Sequence, residues 1–329
     1  MRGPCTPTVG VVIVNWNSGK YLERCIEAIS RQTHRPNKIV VVDNGSTDGS
    51  IVAIETRYHD VRILKLAENI GFAGANNRAI AMLKDSDWVA LVNPDAFPTA
   101  NWLAEMLRVV EENTGYDFFG CRLVQADDHE ILDGTGDVYH VAGLGWRRDY
   151  GKPAGAAERG NDEIFAPCAA AAIYRREVLD AVNGFDESFF CYFEDVDLGF
   201  RLRLAGYRCM YVSSAVVYHQ GSASFGKRSD FSVYHGHRNL VWTYVKNMPG
   251  VLFWWYLPQH FLLNLATILW YVLHGRTSVI LKAKWDALKG LPVMCRRRRA
   301  IQASRKVSIS DIRKVMARGW IVLYRRCHA

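Results

Sequence analysis

The sequence lacks a cysteine framework. Its 329 residues include eight cysteines, but they are scattered, and none has the C-x-x-C spacing of a zinc or redox site. Most lie in apolar runs, which suits reduced thiols in the cytosol. The first ten residues, MRGPCTPTVG, contain no apolar core of a secretion signal. These absences argue against a disulfide-stabilised secreted scaffold, and we expect the body of the protein to stay in the cytosol.

Two phosphate-binding fingerprints are also missing. The segment GFAGANN, residues 71–77, is not followed by the GK[ST] of a P-loop and does not match GxGxxG. P-loop NTPases and Rossmann dinucleotide enzymes are therefore disfavoured. Gly71 and Gly74 would still allow close backbone approach at a helix start, which suits phosphate or base contact.

Most of the chain lacks an excess of positive charge. Residues 1–281 hold 27 Lys and Arg against 31 Asp and Glu, whereas residues 282–329 hold 14 against two. The net charge of +8 therefore comes from a basic tail, which predicts an anionic partner such as lipid head groups, nucleic acid or a phosphorylated substrate. The acidic body and the absence of a nucleic-acid-binding motif argue against specific nucleic-acid recognition.

The first half of the chain alternates between strands and helices. Apolar runs predict strands at VGVVIVNW, KIVVVD, VRILKL and WVALVNPD, and a segment with helical character follows each one. Such repeated strand–helix units imply a mostly parallel sheet with helices on both faces. The sequence therefore predicts an α/β fold.

Each predicted strand ends in polar residues. These ends are Asn15-Trp16-Asn17, Asp43-Asn44-Gly45, Asn69-Ile70-Gly71 and Asn93-Pro94-Asp95. One such end would be ordinary turn chemistry, because Asn, Gly, Ser and Asp favour turns. Ligands of parallel sheets collect at the carboxyl ends of the strands. Four polar ends on one edge therefore predict a ligand site.

Three further positions could carry chemistry. Asp95 could hold a divalent cation, with Asn93 adding an oxygen, although Asn-Pro-Asp also favours a turn. Asp195 could be a general base beside Glu194, although acids at a helix start are also stabilised by the helix dipole. An isolated histidine is more often structural, so a role for His219 depends on its lying near Asp95.

The remainder is less regular. FFGCRLV and EIFAPCAAAAIYR predict strands on either side of a long glycine-rich loop, CMYVSSAVVYH predicts a short strand pair, and helices follow from residue 229. A helix is also expected from about residue 195 to 205.

The apolar stretch 251–273 is long enough to span a bilayer but contains Pro258. Three interpretations stay open: an in-plane or shallowly embedded helix pair, a true span, and a core or dimer helix. The basic tail and the aromatic content favour binding at the membrane interface.

Taken together, the ordered motifs resemble those of family 2 glycosyltransferases with the GT-A fold. The matching segments cover about residues 8–225: VVIVNWN, VVVDNGSTDGS, NIGFAGANN, LVNPDA, GFDESFFCYFEDVDLGFRLRLAGY and VVYHQGSAS. HRNLVWTYVKNMP, at 237–249, resembles the segment that follows in bacterial rhamnosyltransferase-like members. The resemblance implies a catalytic domain over 1–228, with a nucleotide-binding half at about 8–115 and an acceptor half at about 116–228. A helical membrane-associating region would follow over 229–329.

The resemblance also implies donor contacts. Asp43 would bond the uracil or thymine base, and Asn15 and Asn17 would lie in the first nucleotide-contacting loop. The segment beside the ribose and diphosphate would contain Gly71, Phe72 and Asn76.

Metal and catalytic roles follow in the same way. Asp95 and His219 would bind Mg²⁺ or Mn²⁺. Asn93 stands where many members carry an Asp, and this neutral ligand would hold the cation less tightly. Asp195 would be the catalytic base, with Glu194 supporting the acceptor or the loop.

The implied reaction is an inverting transfer from a nucleoside-diphosphate sugar, a dTDP- or UDP-sugar, to a polyprenyl-diphosphate-linked cell-envelope glycan. L-Rhamnose from dTDP-rhamnose is the first choice, while galactofuranose, mannose, glucose and N-acetylglucosamine donors stay open. The enzyme would act at the cytoplasmic face of the bacterial inner membrane, in contact with its lipids. The alternative is a membrane-bound nucleotide-binding module without turnover, which would not need Asp195.

Overall fold

The computed structural model describes residues 7–157, 160–221 and 229–320. The strands in this part of the chain are β1 (Val9–Asn15), β2 (Lys38–Asp43), β3 (Val61–Lys65), β4 (Trp88–Val92), β5 (Ala96–Pro98), β6 (Phe118–Gln125), β7 (Leu132–Gly134), β8 (Asp137–Tyr139), β9 (Gly145–Arg147), β10 (Asp162–Glu163), β11 (Ala171–Arg175) and β12 (Cys209–His219). The helices are α1 (Lys20–Ser30), α2 (Ser50–Arg57), α3 (Gly71–Ile80), α4 (Trp102–Glu112), α5 (Arg176–Ala181), α6 (Glu194–Leu204), α7 (Asp230–Asn247), α8 (Gly250–Leu273), α9 (Thr277–Ala303) and α10 (Ile309–Val315).

A parallel core of four strands confirms the predicted α/β architecture. The strands lie in the order β4-β1-β2-β3, and each neighbouring pair is parallel. Strand β1 is buried along its whole length, as its continuous apolar sequence predicts. Val11 and Ile13 pack in the same apolar cluster as residues of α1 and α4, whereas Val12 and Val14 pack with residues of α3. Helices therefore cover both faces of the sheet.

Beyond β4 the sheet becomes mixed. Strand β11 runs antiparallel to β4 and β6, and β12 runs parallel to β6. The prediction of a strand pair at 209–219 was wrong, because this segment is one strand whose register shifts between Val212 and Val216. The segment EIFAPCAAAAIYR is not one strand either, since only its two ends, in β10 and β11, join the sheet. Pro167 lies between them, and proline cannot donate to a strand ladder.

Strand β5 brings two distant parts of the chain together. It follows Asp95 directly and pairs antiparallel with the end of β12, so that His219 lies opposite Ala96. The sequence shows no local signal for this pairing, because more than a hundred residues separate the two strands. The pairing brings His219 beside the carboxyl end of β4.

Two segments have local structure that the sequence left undefined. Helix α2 begins at Ser50, directly after Gly49, which adopts a left-handed conformation with φ 74°. The segment predicted as a long glycine-rich loop contains β7 and a two-stranded hairpin of β8 and β9. These strands are three residues each, too short to show a period of two in the sequence.

The C-terminal region is helical, as expected. Helix α7 packs against α9, where the Trp242 indole N–H donates to the Ala287 carbonyl at 3.0 Å and the ring lies against Gly290. Phe189, which precedes α6, joins Trp242 in the same apolar cluster. The predicted domain boundary at 228 lies outside the described residues, as do 222–224 of the VVYHQGSAS motif and 321–329 of the basic tail.

Helix α8 is one continuous helix with Pro258 inside it, so the expectation of a helix pair at 251–273 was wrong. Proline removes one backbone hydrogen bond but need not end a helix that is packed on one side. The packed side is provided by Leu252, Gln259, His260 and Leu263, which are buried. None of the helices in the described ranges combines the length and apolarity required to cross a membrane.

Candidate active site

A cavity of about 410 Å³ opens at the carboxyl ends of the parallel strands. It lies where the polar strand ends predicted a ligand site. The lining comes from the ends of β1, β2 and β4, from the start of α3, from the β8–β9 hairpin and from the aromatic segment before α6. Asn93, Asp95, Glu194, Asp195 and His219 all line it. The fold therefore brings together residues that lie up to 126 positions apart in the sequence.

Asp95 and His219 form a buried pair on one side of the cavity. His219 Nε2 lies 3.4 Å from Asp95 Oδ1, and His219 Nδ1 lies 2.7 Å from Asp133 Oδ2. Burial disfavours the charged imidazole, but the hydrogen bonds to Asp133 and Asp95 outweigh it and raise the pKa of His219. A carboxylate on the far ring nitrogen is the usual way to orient a metal-ligating histidine.

The donor atoms on this side suit a hard divalent cation. Asn93 Oδ1 is buried and has no hydrogen-bond partner among the described residues, which leaves a neutral oxygen available beside the Asp95–His219 pair. Oxygen ligands with one imidazole fit Mn²⁺ or Mg²⁺. Within the described residues, no group of three or more His, Cys, Asp or Glu side chains could hold a metal by itself. A cation here would therefore need further ligands, such as those of a diphosphate.

Asp195 lies in the first turn of α6. Its Oδ2 accepts a hydrogen bond from the Ala169 backbone N–H at 3.2 Å, and its Oδ1 accepts one from the Val196 N–H at 2.8 Å. Burial raises the pKa of Asp195, and the two backbone donors and the Arg147 charge oppose this effect. A carboxylate held in place with a raised pKa suits a general base.

Glu194 is buried beside it. Within the part of the chain that the structure describes, its Oε2 has no hydrogen-bond partner. Burial, followed by the charge of Asp195, raises the pKa of Glu194 well above the usual range. Two adjacent acids in different environments suit different roles, one as a base and the other as a neutral hydrogen-bonding group.

The β8–β9 hairpin adds residues that sequence reasoning missed. Asp137, Trp146 and Arg147 line the cavity, and Arg147 forms an ion pair with Asp133. Burial and the nearby charge of Asp195 raise the pKa of Asp137 well above its usual range. The sequence carries little signal for this hairpin, because each of its strands has only three residues, too few to show a period of two.

Not every predicted donor residue lines the cavity. Gly71 and Phe72 do, and so do Trp16, Asn44 and Asn69, the neighbours of predicted residues. Asn15 is buried and donates to the Ser46 and Ser50 hydroxyls at 3.0 and 2.9 Å. The remaining predicted residues also bond their own surroundings. Asn17 Oδ1 accepts from the Thr47 N–H, Asp43 Oδ1 from the Ser46 N–H, and Asn76 Nδ2 donates to the Phe72 carbonyl.

Asp43 nevertheless lies at the correct edge of the sheet. It is the partner of Asn15 in the parallel register of β1 and β2, and Asn44, the next residue, lines the cavity. The hydrogen bonds of Asn15 and Asn17 shape the DNGSTDGS turn that follows Asp43. A base contact by Asp43 stays a prediction.

The α/β fold and this cavity fit the nucleotide-sugar transferases of GT-A architecture. Comparison with known proteins agrees. The family model described as glycosyltransferase like family 2 matches residues 7–240. This chain is a member of the family 2 glycosyltransferases.

Two curated relatives narrow the branch, and one solved structure supports the fold. The chain is 30% identical over 280 residues to the N-acetylglucosaminyl-diphospho-decaprenol L-rhamnosyltransferase of Mycobacterium tuberculosis, covering 79% of this chain and 90% of that protein. It is 25% identical to the O-antigen chain rhamnosyltransferase WbaN of Salmonella anatum, covering 69% and 70% of the two chains. The mannosyltransferase PcManGT of Pyrobaculum calidifontis, solved with GDP-Man and Mn²⁺, matches with a TM-score of 0.53 at 16% identity, over 92% of this chain and 86% of that one.

These findings confirm the GT-A fold, the glycosyltransferase class and the rhamnosyltransferase-like branch that the motifs predicted. The interpretation as a binding module without turnover is therefore disfavoured. The roles of individual site residues stay predictions.

Proposed function

We propose that the protein transfers L-rhamnose from dTDP-rhamnose to a polyprenyl-diphosphate-linked glycan, with inversion at the anomeric carbon. The observation that carries the proposal is the shared cavity, in which Asp195 and the Asp95–His219 pair line the same space. A transferase of this kind needs a base near the acceptor and charge neutralisation near the leaving diphosphate. The names of the two rhamnosyltransferase relatives support the sugar and the type of acceptor.

Asp95 and His219 would hold Mg²⁺ or Mn²⁺, with Asn93 adding a neutral oxygen. A bound cation of this kind stabilises the charge that develops on the departing nucleoside diphosphate. Asp133 would keep His219 in the correct orientation through the 2.7 Å contact with Nδ1. Gly71 and Phe72 would line the side of the cavity that receives the diphosphate and the sugar, with Asp43 near the base.

Asp195 would take the proton from the acceptor hydroxyl as that hydroxyl attacks the anomeric carbon. One bond forms between the acceptor oxygen and the sugar, and the bond to the diphosphate oxygen breaks. The backbone donors from Ala169 and Val196 fix the Asp195 carboxylate before the acceptor arrives, which lowers the cost of orientation. Glu194 would support the acceptor.

The C-terminal helices supply a surface for the lipid-linked acceptor. Helices α8 and α9 expose large apolar side chains, among them Trp254, Trp255, Phe261, Leu269 and Trp285. Exposed basic residues accompany them on α9, among them Arg296 and Arg299. Exposed tryptophans with nearby cations favour peripheral binding at an anionic membrane interface. The enzyme would thus lie on the membrane face where the polyprenyl chain presents its glycan.

The test is a donor panel with the full chain, Mn²⁺ or Mg²⁺ and a synthetic N-acetylglucosaminyl-diphospho-lipid in anionic vesicles. Release of nucleoside diphosphate and formation of the glycolipid are measured together. We expect acceptor-dependent turnover with dTDP-rhamnose to exceed that with UDP-galactofuranose, GDP-mannose, UDP-glucose and UDP-N-acetylglucosamine. Higher turnover with another donor would show that the sugar is not rhamnose, and no turnover with any donor would contradict the proposed function.

A further inference from the structure

The segment that delivers Asp195 to the cavity has an unusual backbone. Phe190, Tyr192 and Phe193 have φ values of 66°, 66° and 67°, in the left-handed region that non-glycine residues rarely adopt. Phe193 is the residue immediately before α6, so this aromatic loop, residues 189–193, sets where the helix begins. Such conformations persist only where the surroundings hold them. The loop therefore needs a partner that fixes it.

Helix α7 provides that partner. Asn239 is fully buried, and its Nδ2 lies 2.9, 3.0 and 2.7 Å from the carbonyl oxygens of Phe189, Cys191 and Tyr192. One side-chain amide thus contacts three carbonyls of the same loop. The neighbouring Arg238 donates from one guanidinium nitrogen to the carbonyls of Ser188 and Phe189, at 3.1 and 3.0 Å.

A second set of contacts joins α7 to α6 itself. Lys246 is buried and lies 2.6 Å from Asp186 and 2.7 Å from Asp197. Asn247 Nδ2 donates to Asp197 Oδ1 at 2.7 Å. Asp197 lies two residues after Asp195, and Asp186 caps the short turn that leads into the aromatic loop. Helix α7 therefore contacts the aromatic loop through Arg238 and Asn239, and contacts α6 through Lys246 and Asn247.

The loop also reaches the donor side of the cavity. The Phe190 carbonyl accepts a hydrogen bond from the Ala73 N–H at 3.2 Å. A Cβ on Gly71 would lie 2.6 Å from the same carbonyl, so this position requires glycine. The loop is thus held from both sides, by α3 and by α7.

We infer that Asn239 is a positioning residue of the transfer reaction, which acts by fixing the aromatic loop so that Asp195 faces the acceptor. This inference rests on the proposed function. It makes α7 part of the catalytic unit, in addition to any role of the C-terminal region at the membrane. Arg238 assists in the same task.

The test compares Asn239→Asp with Asn113→Asp. The first change keeps the size of the side chain but replaces the donating amide by an oxygen that faces three carbonyls. Asn113 Nδ2 also donates to a backbone carbonyl, that of Val109 at 2.9 Å, but it follows the last residue of α4 and does not line the cavity, so it is a matched control. Turnover is normalised to the folded fraction, donor affinity is measured by calorimetry with dTDP, and hydrogen exchange is followed in residues 189–196.

We expect Asn239→Asp to lower kcat at least tenfold, with the dTDP Kd within about threefold of the parent and with faster exchange in 189–196 alone. Asn113→Asp should leave all three unchanged. Unchanged kcat per folded molecule, or unchanged exchange in 189–196, would overturn the inference. If the parent enzyme shows no turnover with any donor, the proposed function fails, and the exchange result alone then decides whether Asn239 holds the loop.

If Asn239→Asp does not fold, Arg238→Met carries the same test. Methionine keeps an apolar side chain beside Trp242, whose ring centroid lies 4.3 Å from the Arg238 guanidinium carbon, but removes both hydrogen bonds to the loop. We expect a several-fold loss of kcat with unchanged dTDP affinity. A loss of affinity in proportion to turnover, or no loss of either, would overturn the inference.

Discussion

Replacing Asp195 by asparagine separates catalysis from binding most cleanly. The carboxylate uses its two oxygens to accept from the Ala169 and Val196 N–H groups. Asparagine keeps one acceptor and turns an N–H toward the other backbone donor, which costs about 1–3 kcal/mol. Burial disfavours the charged form of Asp195 and raises its pKa. Asparagine is neutral, so the variant avoids burying a charge, and this regains part of the lost stability. The net loss of stability should therefore be small, within about 2 kcal/mol.

The loss of activity should be much larger. A positioned general base contributes about 10²–10⁴ in rate, which corresponds to about 2.7–5.4 kcal/mol of the barrier. Asp195→Asn should therefore lower kcat by at least about a hundredfold at a temperature where it stays folded. The assay is nucleoside diphosphate release with saturating donor and acceptor, alongside calorimetry with dTDP. Asp180→Asn, which changes an exposed acid paired with Arg176, is the control.

Two results would refute this reasoning. A kcat within tenfold of the parent would show that Asp195 is not the base. Loss of dTDP affinity by the same factor as the loss of turnover would place Asp195 in the donor site.

Three further predictions follow from the same contacts. His219→Gln should weaken Mn²⁺ binding in the presence of dTDP by roughly tenfold, because the imidazole beside Asp95 is lost. Electron paramagnetic resonance measures the Mn²⁺ affinity, and an unchanged affinity would show that His219 is not a metal ligand. Replacing Trp254 and Trp255 by serine should reduce co-sedimentation with anionic vesicles several-fold, since both side chains are at least 70% exposed. Replacing the exposed Val52 by serine is the control and should leave co-sedimentation unchanged. Unchanged co-sedimentation of the tryptophan variant would place the membrane contact elsewhere. Burial lowers the pKa of Lys284 to about 7. Between about pH 7 and 10 the unfolded chain therefore binds more protons than the folded chain, and the free energy of unfolding should rise with pH across that window. Lys284→Met should flatten that rise, and an unaltered pH profile would contradict the prediction.

Much of the nucleotide-binding half could be predicted from local sequence. Strand β1 is buried on both faces, so its apolar run carried a clear signal, and Leu22, Ile26 and Ile29 marked the buried face of α1. The polar residues after β4 then located one side of the cavity, because parallel strands end at the same edge.

The contacts that complete the site were not predictable in this way. His219 reaches Asp95 only because β5 pairs with the end of β12. The β8–β9 hairpin is too short to reveal itself by periodicity, so Asp137 and Trp146 were missed. The contacts of Asn239 depend on how α7 packs against the loop, and no local pattern in the sequence encodes that packing.

The most direct test of the account is a crystal structure of the full chain with dTDP-rhamnose and Mn²⁺. The account predicts a cation held by Asp95 and His219 and bridged to the donor diphosphate, with the anomeric carbon facing the space beside Asp195. A donor whose diphosphate lies away from Asp95 and His219, or whose anomeric carbon is shielded from Asp195, would contradict it.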